Sequence, residues 1–192
     1  MKQKSKPATL AEQNFTEALL SLLQEKSFAE ISIRELSARA GYDRKTYYRH
    51  FSRKEDVLAS YIATIFAEMA ELILAAGPMT VRSGFTAYFT FWERHIDFLR
   101  LLAKNDLLHF LADIDEDVLY TFVGQAVQPD LPESLKESSD LSRYSYFFTT
   151  GGLRNVLIEW ATEPDETRIS PEQVTEHLIG CLSGLAWFIE AE

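Results

Sequence analysis

The sequence has one cysteine, few long apolar runs and no excess of positive charge. Cys181 is the only cysteine in 192 residues, which excludes an internal disulfide and a cysteine-based zinc site. The uncharged run nearest the C-terminus, LIGCLSGLAWFI, is shorter than the ~18 apolar residues that a membrane-spanning helix needs. The N-terminal stretch MKQKSKPATLAEQNF has charges but lacks the apolar core of a secretory signal. These absences predict a cytoplasmic protein with no membrane segment.

Patterns typical of catalytic and metal sites are also scarce. The chain has four histidines and scattered carboxylates, without a metal-ligand spacing such as HExxH and without a nucleophile next to a base. The pair Gly151-Gly152 lacks the preceding strand and the following Lys-Ser or Lys-Thr of a phosphate-binding loop, so we interpret it as a bend or a close approach of helices. The sequence therefore predicts no enzyme activity, no cofactor and no metal.

The net charge of −10 is unevenly distributed along the chain. Residues 1–54 contain eleven Lys and Arg against six Asp and Glu, a net of +5, and the remainder contains eight against twenty-three, a net of −15. A basic N-terminal part with an acidic body is expected when only the first part contacts phosphates, because the acidic part is repelled from DNA. Lys2, Lys4 and Lys6 are either a DNA-contacting arm or a solvated terminus.

Apolar residues recur at spacings of three and four through most of the chain, and segments with strand character are missing. This periodicity predicts an all-α fold of about nine helices. Glycine, proline and capping residues divide the pattern into elements. Helices are predicted at about 8–26, 33–40, 44–51, 53–76, 141–162 and 170–189, with a loop at 129–140. We assign a helix-turn-helix DNA-binding domain to residues 1–54 and a helical ligand-binding and dimerisation domain to residues 55–192.

Residues 32–54 contain the start and stop signals of successive short helices. Ser32–Glu35 and Ser52–Glu55 have the spacing of capping boxes, in which a hydroxyl and a carboxylate each accept from a backbone amide. Gly41 suits the left-handed end of the first helix, and Asp43 can cap the second. The second helix is predicted to read the major groove with a surface composed of Arg44, Lys45, Thr46, Tyr47, Tyr48, Arg49 and His50.

The run GYDRKTYYRHFSRKEDVL, residues 41–58, resembles the TetR family (TetR/AcrR-like) of one-component transcriptional regulators. It has the family's glycine, two-residue turn, Thr-x-Tyr, aromatic and Lys-Glu pattern, and the resemblance covers residues 8–60. Tyr47 stands where an aliphatic residue is more usual. The resemblance implies phosphate contacts from Ser32, Thr46, Tyr48, His50 and Lys54. Base contacts are expected from Arg34, Arg44, Lys45 and Tyr47, because Arg and Lys suit the acceptors of guanine.

Residues 80–128 are rich in aromatic side chains. These side chains either fill an ordinary core or line a mostly apolar pocket with a few polar anchors, and in relatives the effector binds in this region. The candidate ligand-binding residues are Phe85, Tyr88, Phe89, Trp92, His95, His109 and Phe110.

The last two predicted helices have broad apolar faces, and Gly180 and Gly184 would let another backbone come near. The faces are buried either within the monomer or against a second copy, and relatives of the family pair the same two helices into a four-helix bundle. The candidate dimer-interface residues are Val156, Trp160, Leu178, Cys181, Leu182 and Leu185.

The resemblance implies a homodimeric repressor that binds double-stranded DNA at an inverted-repeat operator and leaves it when a small-molecule effector binds. Two alternatives remain from the sequence. One is a transcriptional activator of the same fold, and the other is a protein-interaction module that has lost DNA binding.

Overall fold

A computed structural model describes residues 9–77, 79–111 and 139–190, and within the last range it leaves the side chains of 139–146, 149 and 185–190 undescribed. Eight α-helices and no strand occur in these residues, which confirms the predicted all-α fold. Short 3-10 helices lie at Phe28–Glu30 and Leu108–Leu111. The α-helices are α1 Leu10–Glu25, α2 Ile33–Ala40, α3 Arg44–His50, α4 Lys54–Ala76, α5 Val81–Glu93, α6 Ile96–Lys104, α7 Ser139–Thr162 and α8 Pro171–Glu190.

The chain divides into two compact units. The first consists of Met1–Glu68 with Leu101–Asp115, and the second consists of Met69–Arg100 with Glu116–Glu192. The division therefore lies inside α4 rather than after residue 54, and the end of α6 belongs to the first unit. The predicted roles of residues 1–54 and 55–192 stay predictions.

The first unit has an apolar core that α1, α2, α3 and the start of α4 build together. α1 begins with a complete capping box, in which the Thr9 amide donates to the Glu12 carboxylate at 2.7 Å and the Glu12 amide donates to the Thr9 hydroxyl at 3.3 Å. Its apolar residues recur at helical spacing, so they share one face and exclude water together. The buried side chains of this core include Phe15, Leu19, Leu22, Leu23, Leu36, Tyr47, Phe51, Val57 and Leu58.

The turn between α2 and α3 has the geometry that its residues predict. Gly41 adopts the left-handed backbone, with φ 77° and ψ 23°, and the Tyr42 amide donates to the Ser37 carbonyl at 3.0 Å. The Asp43 carboxylate accepts from the Thr46 amide at 2.7 Å and so caps α3. Both signals act over three to five residues of chain, and both predictions are confirmed.

Neither of the two capping boxes predicted for this region is complete. The Ser32 hydroxyl accepts from the Glu35 amide at 3.2 Å as expected, but the Glu35 carboxylate pairs with Lys26 Nζ at 2.5 Å instead of returning to the cap. At the start of α4 the acceptor is Asp56, which takes the amides of Ser52 at 3.0 Å and Arg53 at 2.8 Å. Because α4 begins at Lys54, Asp56 rather than Glu55 occupies the third helical position, from which a side chain reaches the cap.

The second unit is built around α5, which packs against α7 and α8. The Phe89 and Trp160 rings meet edge to face with centroids 5.6 Å apart, and the Trp160 indole donates to the Ile169 carbonyl at 2.7 Å. The Arg100 guanidinium donates to the Ala161 carbonyl at 2.9 Å and the Glu163 carbonyl at 2.8 Å, and so satisfies the end of α7. A capping box formed by Ser170 and Gln173 lies at the start of α8, with the Ser170 amide donating to the Gln173 side chain at 2.9 Å and the Gln173 amide donating to the Ser170 hydroxyl at 3.3 Å.

α4 is the one helix in the described part of the chain that is long and apolar enough to cross a membrane by length and composition. It has 23 residues and a mean hydropathy of 1.7 in its most apolar window, of which 39% is buried. The sequence predicts this helix at 53–76 but does not count it among the long apolar runs, because Glu68 and Glu71 interrupt it. Val57, Ile62 and Ile65 are nevertheless buried, so α4 contributes core side chains.

Candidate nucleic-acid interface and ligand pocket

The outer surface of α3 carries exposed cations and one exposed tyrosine. Arg44, Lys45 and Arg49 are exposed, and Tyr48 keeps 52% of its surface accessible. The Arg44 guanidinium lies 6.0 Å from the centre of the Tyr48 ring, a cation–π arrangement. Arg34 on α2 is also exposed. These side chains can reach phosphates and base edges, because solvent covers them in the free protein.

Tyr47 contradicts its predicted place on that surface. The side chain is 0% exposed and packs edge to face on Phe15, with ring centroids 5.2 Å apart. Its ring also lies against those of Tyr48 at 5.4 Å and Phe51 at 5.9 Å. Tyr47 therefore occupies the aliphatic position of the family pattern as a core residue, and it cannot contact a base from there. Burial raises the pKa of the Tyr47 phenol, so the group stays protonated.

Thr46 and His50 lie at the edge of the exposed surface of α3 and are partly buried. His50 Nδ1 is 3.1 Å from Glu12 Oε1, which connects the end of α3 to the first turn of α1. The backbone amide of Thr9, helped by His50, lowers the pKa of the Glu12 carboxyl, so Glu12 is ionised near neutral pH. This contact holds α3 in place, and phosphate binding by Thr46 and His50 stays a prediction.

Lys54 makes contacts within the first unit that its predicted phosphate role did not anticipate. Its ammonium donates to the carbonyls of Phe28 at 2.5 Å, Ile31 at 3.0 Å and Ala29 at 3.3 Å, and lies 4.5 Å from the centre of the Phe28 ring. An ammonium has three protons, so these carbonyls use its donor capacity. Lys54 therefore ties the start of α4 to the segment before α2.

Two cations near the surface have different roles that sequence alone did not separate. Arg39 forms a two-pronged pair with Glu25, at 2.7 and 2.9 Å, and also donates to Ser21 at 2.7 Å. The Glu25 carboxylate raises the pKa of Arg39. Arg49, by contrast, is exposed on α3, and the sequence placed it on the reading surface without assigning it a phosphate or base contact. Its position four residues after Lys45, which places both cations on one face of α3, was the available signal.

A cleft of about 230 Å³ lies within the second unit, between the last turns of α4 and of α5. Of the predicted ligand-binding residues, it contains Tyr88. The cleft's lining is otherwise apolar except for one threonine and one arginine at the end of α5. The lining residues are Met69, Leu72, Ile73, Ala76, Met79, Ala87, Tyr88, Thr90, Phe91 and Arg94.

The other predicted ligand residues lie elsewhere. Phe85, Phe89 and Trp92 are buried among the helices of the second unit, so they are core side chains rather than lining of this cleft. His95 is half-buried and does not line it either. His109 and Phe110 belong to the first unit, where the Phe110 ring meets Phe28 with centroids 6.4 Å apart. Aromatic periodicity does not distinguish these environments, because a core face and a pocket face have the same helical spacing.

The predicted dimer residues separate into buried and exposed groups. Trp160 is 2% exposed and packs on Phe89, so it is a core residue and its predicted interface role is wrong. Val156 and Leu178 are half-buried, whereas Cys181 and Leu182 are exposed, and the side chain of Leu185 lies outside the described residues. Phe148 on α7 is 73% exposed.

The glycines of α7 and α8 lie inside the helices rather than at breaks between them. A Cβ placed on Gly151, Gly152, Gly180 or Gly184 would meet nothing within 4 Å in the described part of the chain. The close helix approach that we expected at Gly151-Gly152 is therefore not made within the described residues.

No group of three or more His, Cys, Asp or Glu side chains that could hold a metal ion occurs among residues 9–77, 79–111 and 139–190.

Comparison with known proteins identifies the N-terminal part of the chain. Residues 15–61 match the family model described as bacterial regulatory proteins, tetR family. The chain is 35% identical over 81 residues to the HTH-type transcriptional regulator EthR of Mycolicibacterium smegmatis, a match that spans 38% of this chain and 37% of that relative.

Two solved structures share the fold over most of the chain. The fatty acid degradation regulator FadR from Bacillus halodurans is 15% identical, with a TM-score of 0.59, and the match covers 91% of this chain and 93% of that one. A proposed transcriptional regulator from Pseudomonas aeruginosa PAO1 is 18% identical, with a TM-score of 0.61, and the match covers 91% and 89%. The helix-turn-helix geometry of α2 and α3 agrees with the family match over residues 15–61. Residues 15–61 therefore contain the helix-turn-helix domain of the tetR family of bacterial regulatory proteins.

Proposed function

We propose that this regulator is a cytoplasmic homodimer that represses transcription by binding an inverted-repeat operator, and that a small-molecule effector releases it. The observation that carries the proposal is the outer surface of α3, where Arg44, Lys45, Tyr48 and Arg49 are exposed on a helix held from behind by buried Tyr47. A short helix with exposed cations and a fixed back face suits insertion into the major groove.

The proposed division of labour follows from the chemistry of each exposed side chain. Phosphate contacts supply sequence-independent affinity, and base-edge contacts supply discrimination. Lys45 and Arg44 at the start of α3 can donate to guanine, whereas the Tyr48 hydroxyl suits a phosphate oxygen. Ser32 and Thr46 stand at helix starts, where each hydroxyl can donate to a phosphate oxygen and the positive end of the helix dipole also favours the anion.

Release by an effector is proposed from the continuity of α4. This helix starts at Lys54 and its later residues Met69, Leu72 and Ile73 line the cleft. A ligand that binds better to one arrangement of α4 must weaken DNA binding by the same factor, if DNA selects another arrangement. Whether the regulator represses or activates is a separate question. Expression of a reporter gene from the regulated promoter, measured with and without the regulator, distinguishes a repressor from an activator.

The first test is a gel shift with random duplex DNA over a range of salt concentrations. We expect affinity to fall steeply between about 50 and 200 mM salt, because each neutralised phosphate releases condensed counterions. Selection of bound duplexes should then yield an inverted repeat, since a two-fold symmetric dimer reads two equivalent half-sites. DNA affinity that does not change with salt concentration, or no shift of the DNA at any salt concentration, would support a protein-interaction module instead.

Substitutions on α3 test the roles of individual residues on the selected operator. We expect Tyr48→Ala to weaken binding to all duplexes by a similar factor, and Arg44→Ala to relax preference at one or two base pairs by ~1–3 kcal/mol per site. Competition gel shifts with single-base operator variants measure both effects. Lys104→Ala, which removes an exposed cation of α6, is the matched control. Tyr48→Ala binding as tightly as the parent would exclude the phosphate role of Tyr48.

A further inference from the structure

The cleft of the second unit has a composition that restricts its ligand. Its walls come from Met69, Leu72 and Ile73 on α4 and from Phe91 on α5, with Arg94 at the end of α5. Among the described residues that line it, Arg94 carries the only formal charge and none is acidic. The guanidinium lies 6.0 Å from the centre of the Phe91 ring, so the cation is next to the apolar wall.

We infer that the cleft binds a small aliphatic anion, with its chain against the apolar wall and its carboxylate, or a similar head group, at Arg94. The inference rests on the proposed function, since it names the chemical class of the effector. A neutral apolar molecule would have no group for the guanidinium, and a cationic one would find no acidic side chain in the lining. Arginine is suited to a carboxylate because its planar fork donates two parallel hydrogen bonds. The inference does not require that Arg94 lack partners within the chain, because a ligand carboxylate can join or replace them.

The size of the cleft limits the length of the chain that it accommodates. Its volume is about 230 Å³. A methylene fills about the same volume as a water molecule in the liquid, which is ~30 Å³. The cleft therefore holds a chain of about eight carbons. Met69 and Met79 in the lining are unbranched and flexible, so they can adjust to the shape of an aliphatic chain. Octanoate is therefore the probe of choice.

The first experiment measures binding of straight-chain carboxylates to the full chain by isothermal titration calorimetry, below the concentrations at which they aggregate. We expect affinity to rise about fourfold per added methylene from butanoate to octanoate, the factor for burying one methylene, and to level off beyond about eight carbons. 1-Octanol and octylammonium test the head group and should bind more weakly than octanoate. Equal affinity for octanoate and 1-octanol would overturn the assignment of an anion.

Variants locate the site. Arg94→Gln should weaken octanoate about fivefold, the typical size of an exposed ion pair, and leave 1-octanol unchanged. Ala87→Phe and Ala76→Phe place a large side chain in the cleft from exposed positions and should abolish octanoate binding. Ala75→Phe adds the same group at an exposed position of α4 outside the cleft and is the matched control. Octanoate binding that survives both blocking variants would overturn the site.

The gel shift separates this inference from the proposed function. A preparation that shifts DNA at low salt but binds no carboxylate of the series contradicts the ligand class and leaves DNA binding in place. A preparation that binds octanoate but does not shift DNA contradicts the proposed regulator, and with it the role of octanoate as effector.

Discussion

The Tyr47 hydroxyl is a polar group in an apolar core. The ring fits the core of the first unit, between Phe15, Tyr48 and Phe51. Its hydroxyl oxygen, however, is buried and has no hydrogen-bond partner among the described residues. A buried hydroxyl without a partner costs about 1–3 kcal/mol relative to one in water. The ring at this position therefore stabilises the domain while the hydroxyl opposes that effect.

We expect Tyr47→Phe to raise the free energy of unfolding by about 1 kcal/mol, because phenylalanine keeps the ring contacts and removes the unpaired hydroxyl. Urea denaturation followed by circular dichroism measures the change. Operator affinity should stay unchanged, since the side chain does not reach the DNA-facing surface. The matched control is Tyr48→Phe, at an exposed ring, which should leave stability unchanged and weaken DNA binding. A loss of stability in Tyr47→Phe would show that the hydroxyl has a partner in solution.

At the scale of elements, carboxylates hold the starts of the helices in the first unit. Asp43 caps α3 and Asp56 caps α4, each through backbone amides. The Thr46 amide lowers the pKa of Asp43, and the Arg53 amide lowers that of Asp56, in both cases below the ordinary 3.8. A carboxyl whose pKa is lowered by folding stabilises the protein above its unfolded pKa. That stability is lost as pH falls through the lowered pKa.

We therefore expect the melting temperature to fall as the pH is lowered from about 5 to 3, in the direction that loss of these caps requires. In the double variant Asp43→Asn, Asp56→Asn the fall should be smaller, because asparagine still accepts the cap hydrogen bond but does not titrate over this range. Thermal melts at closely spaced pH values measure the difference. Asp97→Asn, at an exposed residue of α6, is the control and should keep the parent profile. Parallel profiles for parent and double variant would exclude this source of acid sensitivity.

At the scale of the whole molecule, α7 and α8 each leave an apolar side chain in solvent. Phe148 is 73% exposed and Leu182 is 41% exposed, and the backbone at Gly180 and Gly184 is open to approach. A second copy of the same helices would cover these side chains symmetrically. This supports the proposed homodimer.

We expect Phe148→Asp and Leu182→Asp each to raise the dimer dissociation constant by at least about tenfold, since each places a charge in an apolar contact. Analytical ultracentrifugation over a range of concentrations measures the shift. Leu74→Asp changes a leucine that is 51% exposed on α4 and is the control. As dimerisation is lost, operator binding by the interface variants should also weaken, because the two half-sites are then bound by independent monomers. An unchanged dimer in both variants would exclude this surface.

Local rules explain which features the sequence determined by itself. The left-handed Gly41, the Asp43 cap and the helix periods depend on hydrogen bonds and side-chain spacings within a few residues, so they can be read from the chain. The family match over residues 15–61 depends on the same local pattern.

Tertiary structure alone decided the partners of side chains that could act in several ways. Glu35 pairs with Lys26 rather than its own cap, Lys54 binds three carbonyls, and Tyr47 is turned into the core. Packing likewise made Trp160 a core residue and placed Tyr88 at a cleft. Both lie in segments whose apolar residues recur at the same helical spacing, so the spacing did not distinguish them. The physical reason is that periodicity shows which face of a helix is apolar. Which residues cover that face depends on parts of the chain that are distant in sequence and pack against it only in the folded structure.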